Sequence, residues 1–525
     1  MLGGSVTAQI KLTHRQVLVV FSGLMLGMFL AALDQTVVST ALPTIVGELG
    51  GLDHLSWVVT AYLLTSTASA PLYGKVSDLY GRKIVFQFAI VVFLIGSVLS
   101  GIAQSMEQLI AFRAIQGLGA GGLFVMALTI IGDILSPRER GRYQGYVGSV
   151  FALSSVAGPF IGGFFTDHLT WRWVFYINVP IGIAALIVTT TALNLPFVRQ
   201  PHKVDYAGAG LLVAGVTALL LVTVLGGGEY PWGSTQIVGL ALAGALLTGL
   251  FLFRERRAAE PILPLRLFRN RTFSLTGLAG FVLGLAMFGG IVFLPLFLQV
   301  VTGATATNSG LLILPLMVGL IGASVTSGRL ITKSGRYRRY PIAGMALTTL
   351  ALLLLSTMDA ATSRAVSSLF MLLLGLGIGM VLPVLVIAVQ NAVEHRDLGV
   401  ATSSNAFFRS LGGAFGTAVF GAILTAGLGH WMPRLLPAGS EGMDPRLLMG
   451  SPEQIRALDP AVQLAVVESF ARSVSAVFLW AVPIAVVGFI VVLFIPELPL
   501  RDTAHVGAHA EAPGVVEGPV EAAAD

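Results

Sequence analysis

Long apolar runs alternate with short polar segments along most of the chain, and each run is long enough for a membrane-spanning helix, which needs about 20 mostly apolar residues. About fourteen runs meet this requirement: 17–46, 57–74, 84–104, 107–131, 143–166, 174–196, 205–227, 235–253, 273–301, 309–328, 341–357, 366–393, 401–428 and 472–496. The opening run is long and contains Asp34, so we do not interpret it as a cleaved signal peptide. We therefore predict an all-α integral membrane protein with about fourteen transmembrane helices.

Composition agrees with this prediction and narrows the chemistry. Of 525 residues, 55% are hydrophobic and 11% are charged, whereas a soluble globular chain carries roughly 25% charged residues. The chain has no Cys, which excludes disulfides, Cys-ligated zinc and thiol catalysis. It also has no Gly-Lys-Ser/Thr phosphate loop and no Ser-His-Asp or metal-ligand cluster. We therefore predict no enzyme activity, no cofactor and no metal site.

The basic residues predict how the chain lies across the membrane. With an even number of spans and a cytoplasmic N-terminus, 23 of the 31 Lys and Arg residues fall on the cytoplasmic side, as the positive-inside rule requires. Six fall outside, and Arg113 and Arg409 lie within spans. We predict a multi-pass protein of the cytoplasmic (inner) membrane with both termini in the cytoplasm. The net charge of +5 then reflects topology and not a nucleic-acid partner.

An internal repeat divides the chain. One interval of 254 residues relates two sets of positions: Gly74, Gly81, Arg82, Gly145, Gly158 and Gly162 match Gly328, Gly335, Arg336, Gly399, Gly412 and Gly416. Parallel six-helix halves with a binding site between them are a recurrent transporter design.

The repeat and the spans together predict the organisation of the chain. The predicted parts are an N-terminal six-helix half (1–200), two inserted helices with a basic cytoplasmic loop (201–271), a C-terminal six-helix half (272–498) with an outer loop (429–471), and a disordered cytoplasmic tail (499–525). A faint helical pattern at 460–470 allows a short amphipathic lid, but we favour a plain connector there.

Several motifs in this sequence resemble signatures of the major facilitator superfamily. The loop Gly74–Lys83, which contains Asp78, Gly81 and Arg82, resembles its loop signature. The other matching segments are Arg113–Gly117, similar to its second signature; Gly158-Pro159-Phe-Ile-Gly162-Gly163, similar to its antiporter motif; and Leu33–Pro43, Trp171–Pro180 and Phe408–Gly413, similar to the fourteen-span drug:proton antiporters. The resemblance covers nearly the whole chain. It implies the major facilitator fold with two inserted helices, and multidrug efflux with a role in antibiotic resistance.

The resemblance also implies roles for two of these motifs. In the loop signature, Asp78 and Arg82 would form a charge relay that docks on the other half as a conformational latch, where a helix N-terminus such as that before Ala401 would stabilise the carboxylate. The second half has Thr332 where the Asp would stand, so we expect a one-sided latch. The glycines and Pro159 of the antiporter helix would control closure between the halves, with generic helix packing as the alternative.

Asp34 is the one carboxylate well inside a predicted span, and Arg113 lies within another. A charged residue at a helix centre costs roughly 2.5–3.5 kcal/mol on insertion scales and usually faces a cavity or a partner. We expect the two to form a proton-coupling pair, direct or bridged by water; a purely structural ion pair is the alternative. All eight His residues fall in loops or tails. Asp34 is therefore the leading proton carrier by elimination, followed by Asp133.

These observations predict proton-driven efflux of lipophilic drugs, monocationic or neutral, by alternating access. The alternative is a proton-coupled symporter or facilitator of a nutrient or lipid-like metabolite. The partners are then a small lipophilic substrate, protons and membrane lipid, and we expect a monomer. Four polar residues within spans are candidates to line the cavity, although each could equally hydrogen-bond between helices: Tyr62, Gln116, Gln299 and Asn405.

Overall fold

The computed structural model describes residues 14–49, 55–193, 205–227, 229–304, 312–437, 455 and 458–501. In chain order the α-helices of this part are α1 (His14–Leu49), α2 (Leu55–Tyr80), α3 (Arg82–Gly101), α4 (Met106–Ile134), α5 (Pro137–His168), α6 (Trp173–Tyr176), α7 (Asn178–Ala192), α8 (Tyr206–Leu225), α9 (Thr235–Glu255), α10 (Arg271–Val300), α11 (Leu314–Ser334), α12 (Arg339–Leu355), α13 (Arg364–Ala392), α14 (Leu398–Leu435) and α15 (Pro460–Leu493). Two 3-10 turns, Leu265–Arg269 and His395–Asp397, precede α10 and α14.

The helices coincide one for one with the predicted spans, with α6 and α7 together forming the sixth. By length and hydropathy, 11 described helices can cross a membrane. Two shorter apolar helical segments accompany them, namely Arg271–Met287, which is the first part of α10, and Arg339–Leu355, which is α12. The prediction of an all-α membrane protein is confirmed.

Two separate hydrophobic cores organise the bundle. One joins α1, α3 and α4 through buried side chains such as Met28, Phe86 and Met126, and we call α1–α7 the N-terminal group. The other joins α10, α13 and α15 through Phe297, Met371 and Phe478, and we call α10–α15 the C-terminal group.

The inserted helices α8 and α9 form a hairpin beside the boundary between the two groups. Arg254 at the end of α9 pairs with Asp205 before α8 at 3.1 Å. A third cluster joins Leu212 of α8 to Leu64 of α2 and Phe407 of α14. The hairpin therefore contacts one helix of each group.

Two helix starts differ from prediction because capping extends the helices. Ser136 and Glu139 form a reciprocal capping box, so α5 begins at Pro137. Asp459 accepts a hydrogen bond from the Ala461 backbone at 3.0 Å, so α15 begins at Pro460. The segment 460–470 is thus the first part of a helix, and our preference for a plain connector was wrong. The predicted disordered tail beyond residue 501, and positions 438–454 of the outer loop, lie outside the described residues.

Candidate functional site

Asp34 and Arg113 form a direct ion pair between α1 and α4. Arg113 Nη1 lies 2.6 Å from Asp34 Oδ2, and the relative exposure is 0% for Asp34 and 1% for Arg113. Arg113 Nε also donates to the Val58 carbonyl of α2 at 3.3 Å. The Arg113 guanidinium lies 4.2 Å from the centre of the Tyr62 ring, a cation–π distance. The pair is therefore enclosed by three helices, and its two charges cancel.

The other carboxylate oxygen of Asp34 also has partners. Gln116 Nε2 and Asn178 Nδ2 donate to Asp34 Oδ1 at 2.8 Å and 3.0 Å. Asn178 Nδ2 also donates to Ser97 Oγ at 3.0 Å. Side chains from α4 and α7 therefore bind the carboxylate directly, and Ser97 of α3 joins the network through Asn178. The sequence marks Asn178 only by its place in a family-like motif, and nothing in the sequence marks Ser97.

A proton on Asp34 would change the charge of this network. A protonated carboxyl group is neutral and donates a hydrogen bond of its own, whereas Arg113, Gln116 and Asn178 all present donors to it. Protonation would therefore remove the negative charge that attracts Arg113 and add a fourth donor to a network that already has three.

Helix α5 packs closely against the same part of α1. A side chain at Gly158 would overlap Thr36, two residues beyond Asp34, and one at Gly162 would overlap Thr40. A side chain at Gly163 would meet only open space. Gly158 and Gly162 thus pack closely against α1 within the N-terminal group, which generic helix packing also explains, and Gly163 does not.

Pro159 lies inside α5, which continues through it to His168. The C-terminal group repeats the glycine contact, because side chains at Gly412 and Gly416 of α14 would overlap the carbonyls of Phe281 and Leu285 on α10. The glycines therefore bring equivalent helix pairs together in both groups.

A charged cluster lies at the end of the bundle around Arg82, Arg138 and Arg336, which we call the basic face. Asp78 in the last turn of α2 forms an ion pair with Arg82 at the start of α3. Arg82 Nε lies 2.9 Å from Asp133 Oδ2 at the end of α4. Gly81 between the helices has a φ of 94°, which favours glycine.

Asp78 also reaches the C-terminal group. Its Oδ2 accepts a hydrogen bond from the Val400 backbone N–H at 3.3 Å, in the first turn of α14, where the helix dipole favours a negative charge. A side chain at Gly74 would lie 2.6 Å from the Gly399 carbonyl, so the two glycines permit this approach. Burial raises the pKa of Asp78, which lies beyond the predicted span ending before Lys75, to about 6, although Arg82 acts in the opposite direction. The dehydration of Asp78 therefore offsets part of its attraction to Arg82 and α14.

The opposite side of the basic face has an uncharged counterpart, and the one-sided charged latch stays a prediction. Thr332 Oγ1 donates to the Arg138 carbonyl at 2.9 Å, and Arg138 Nε donates to the Thr332 carbonyl at 2.9 Å. A side chain at Gly328 of α11 would overlap the Gly141 carbonyl of α5. A hydroxyl and backbone carbonyls therefore replace the missing carboxylate.

Arg140 is buried at the basic face and links the two helix groups. The sequence had indicated only one of the basic residues that orient the chain in the membrane. The exposure of Arg140 is 0%, and its Nη1 donates to Gln390 Oε1 of α13 at 2.9 Å. Gln390 Nε2 in turn donates to the Leu128 carbonyl of α4 at 3.1 Å. The two helix groups are therefore in contact across the basic face through Asp78, Thr332 and Arg140, and His395 Nδ1 before α14 also lies 3.5 Å from Asp133 Oδ1 of α4.

The polar residues expected around a cavity serve other contacts. Tyr62 donates to the Ala31 carbonyl at 3.3 Å, Gln116 binds Asp34, and Asn405 donates to the Thr276 carbonyl at 3.2 Å. Gln299 is half-buried near the end of α10. Among the described residues, no group of three His, Cys, Asp or Glu could hold a metal ion.

A cavity of about 810 Å³ lies between α2, α8 and α14. Its walls carry small, apolar and hydroxyl side chains, including Leu63 and Thr67 of α2, Thr223 of α8 and Ala422 of α14. Trp232 from the loop between α8 and α9 also contacts the cavity. No lining residue is charged, so the cavity suits an uncharged lipophilic group. The sequence did not predict this cavity, because the same residue types also occur wherever helices pack or face lipid.

A helical membrane bundle with two cored groups, a buried ion pair and a closed basic face defines a membrane transporter, not an enzyme. Comparison with known proteins identifies its family. A model described as the Major Facilitator Superfamily matches residues 24–417, and the chain belongs to that superfamily.

Two relatives from Bacillus subtilis (strain 168) have transport names. The chain is 43% identical to "Multidrug transporter protein MdtP" over 79% of this chain and 77% of the relative. It is 37% identical to "Multidrug resistance protein 3" over 92% of this chain and 96% of the relative. The fold is similar to that of the solved proton:xylose symporter XylE, with a TM-score of 0.60 and 15% sequence identity. The similarity covers 94% of this chain and 99% of that one.

Proposed function

We propose that this protein is a proton-driven exporter of lipophilic small molecules that works by alternating access across the cytoplasmic membrane. The single observation that carries the proposal is the buried Asp34–Arg113 pair, a carboxylate enclosed within the bundle beside a guanidinium. The relatives named as multidrug transporters support export of lipophilic compounds.

In this mechanism a proton reaches Asp34 from the outer side, and the neutral acid releases Arg113. The contact of α1 with α5 through Gly158 and Thr36 then transmits the movement of α1 to α5, because the two helices touch there without an intervening side chain. The N-terminal and C-terminal groups rock, the contacts at the basic face separate, and the proton leaves to the cytoplasm. In this mechanism, the docking of Asp78 on the Val400 backbone belongs to a state closed on the cytoplasmic side.

We favour neutral over monocationic substrates in this proposal. Asp34 has no exposed surface and its charge is balanced by Arg113, so it offers no counter-charge to a cation. The uncharged cavity between α2, α8 and α14 is within the roughly 300–1,000 Å³ range of drug-sized pockets, and we place part of the substrate path there.

Transport in proteoliposomes tests this function. Purified protein is reconstituted with an acidic interior, and a neutral lipophilic dye is added outside. We expect the dye to accumulate inside above its equilibrium level, and a protonophore to abolish the accumulation. A nutrient symporter, the alternative function, would instead accumulate its substrate when the outside is acidic.

Cysteine labelling tests the orientation on this Cys-free chain. Ser334, the last residue of α11, and Ser363, the residue before α13, are both exposed and flank α12 in the chain, near to and far from the basic face. In intact cells we expect an impermeant thiol reagent to label the Ser363→Cys variant and not the Ser334→Cys variant. Permeabilised cells should show labelling of both, and the reverse pattern in intact cells would invert the proposed topology.

A further inference from the structure

Helix α14 carries a second guanidinium inside the bundle, at Arg409. The residue lies about 16 Å along the helix from Leu398, at 1.5 Å per residue. Within the described part of the chain, its guanidinium has no hydrogen bond and no ion pair. Arg113, in contrast, is neutralised by Asp34. Arg409 therefore leaves one uncompensated positive charge deep in the protein.

The neighbours of Arg409 on α14 define the direction of its side chain. Asn405, one turn earlier, bonds to Thr276 of α10, whereas Ala406 packs with Ala70 of α2 and Val125 of α4. At 3.6 residues per turn, position 409 lies between positions 405 and 406 around the helix axis. The Arg409 side chain therefore leaves α14 between α10 and α4, which belong to different helix groups.

The surroundings of Arg409 combine packing against α10 with partial exposure. A Cβ placed on Gly280 of α10 would lie 4.0 Å from the Arg409 Cβ, an ordinary van der Waals contact. Arg409 is only half-buried, although Thr402 and Phe420 on the same stripe of α14 are 1% and 0% exposed. Part of the Arg409 residue therefore remains accessible near the boundary between the two groups, where alternating access requires the substrate to pass.

We propose that Arg409 is a substrate-binding residue that recognises a carboxylate on an otherwise lipophilic substrate. A guanidinium presents five donors in a planar fork, which matches a carboxylate through two parallel hydrogen bonds. Ala406, Val125 and Ala70 supply an apolar surface beside it. The inference rests on the proposed export function and adds lipophilic organic acids to its neutral substrates.

This assignment explains the charge balance between the groups. The Asp34–Arg113 pair contributes no net charge, so Arg409 makes the site positive and repels lipophilic cations. It departs from the sequence-based expectation of monocationic or neutral substrates by excluding the cations and adding the acids.

Binding of three matched probes to purified full-length protein tests the proposal without a proton gradient. The probes are pyrenebutyrate, its methyl ester and a pyrene-bearing primary amine, measured by equilibrium dialysis. In the Arg409→Gln variant we expect the Kd of the carboxylate to rise by about 10- to 100-fold, the range for losing a charge-assisted hydrogen-bonded contact. The ester should change less than about threefold, and the amine should bind more tightly.

Two further variants separate recognition from structure. Arg409→Lys keeps the charge and should restore part of the affinity for the carboxylate. Arg364→Gln, at an exposed Arg on α13, should leave all three probes unchanged. Equal losses for acid and ester, or no loss for the acid, would overturn the assignment. If Arg409→Gln fails to fold, Arg409→Lys must still weaken the acid more than the ester.

The outcomes also distinguish this inference from the proposed function. A wild-type protein that accumulates the neutral dye in a proton gradient, but binds acid and ester independently of Arg409, would retain the export function and lose the inference. A protein that binds the acid through Arg409, but shows no gradient-driven transport, would do the opposite.

Discussion

Asp34→Asn should abolish accumulation of a neutral lipophilic dye driven by a pH gradient. The amide fills the same volume but cannot carry the proton, and Asp34 is buried among Arg113, Gln116 and Asn178. Binding of the dye should stay within about threefold, because Asp34 has no exposed surface and does not contact the substrate. The measurement compares gradient-driven uptake and dye binding in the same preparation.

Two controls accompany this variant. Glu48→Gln changes a carboxylate on the same helix, whose pKa is lowered by its hydrogen bond with Arg172 near the end of α1, and should leave proton coupling intact. Removing one partner of a buried pair can cost roughly 3–5 kcal/mol of stability. The double variant Asp34→Asn/Arg113→Gln removes both charges and should fold better while remaining uncoupled. Normal gradient-driven uptake by either Asn variant would exclude Asp34 as the carrier.

Gly328→Leu should hold the basic face open and reduce transport severely. A side chain there overlaps the Gly141 carbonyl, which is backbone and cannot rotate away. Overpacking of about 1–3 kcal/mol would lower the closed population roughly 5- to 150-fold. The measurement is the thiol reactivity of a Ser403→Cys variant. Ser403 of α14 is buried against Gly74 of α2 at the same face, so a thiol there should react only when the face is open.

The matched control for this substitution lies on the same helix. A side chain at Gly322 would meet only open space, so Gly322→Leu should transport normally and leave Ser403→Cys unreactive. A Gly328→Leu protein that transports at the wild-type rate would show that the contact between α5 and α11 is not part of the cycle.

The spans could be predicted because apolar length is a local property of the chain. The relation of the groups was less accessible: Asp34 and Arg113 were recognised as a charge pair by type, but their direct contact depends on how α1 and α4 are rotated toward each other. Asn178 and Ser97 join the network for the same reason. The rotation of each helix about its axis is set by packing against the other helices, so it cannot be predicted from the sequence of one segment.

The basic face shows where residue type misleads. Thr332 lacks the charge of a latch, yet its hydroxyl and carbonyl make two hydrogen bonds to Arg138. Arg140 resembled a solvated basic residue and is buried against Gln390. The cavity beside α8 is built from Leu, Thr and Ala side chains, which have the same composition as a surface facing lipid. These features require the tertiary arrangement.

Proton release on substrate binding tests the central claim most directly. A neutral lipophilic dye is added to purified protein in weakly buffered detergent solution, and the pH change is recorded for the wild type and for Asp34→Asn. The account predicts that substrate displaces protons from the wild type and none from the Asn variant, because Asp34 is the group that exchanges them. Equal proton release from both proteins would contradict it and place the carrier at another carboxylate.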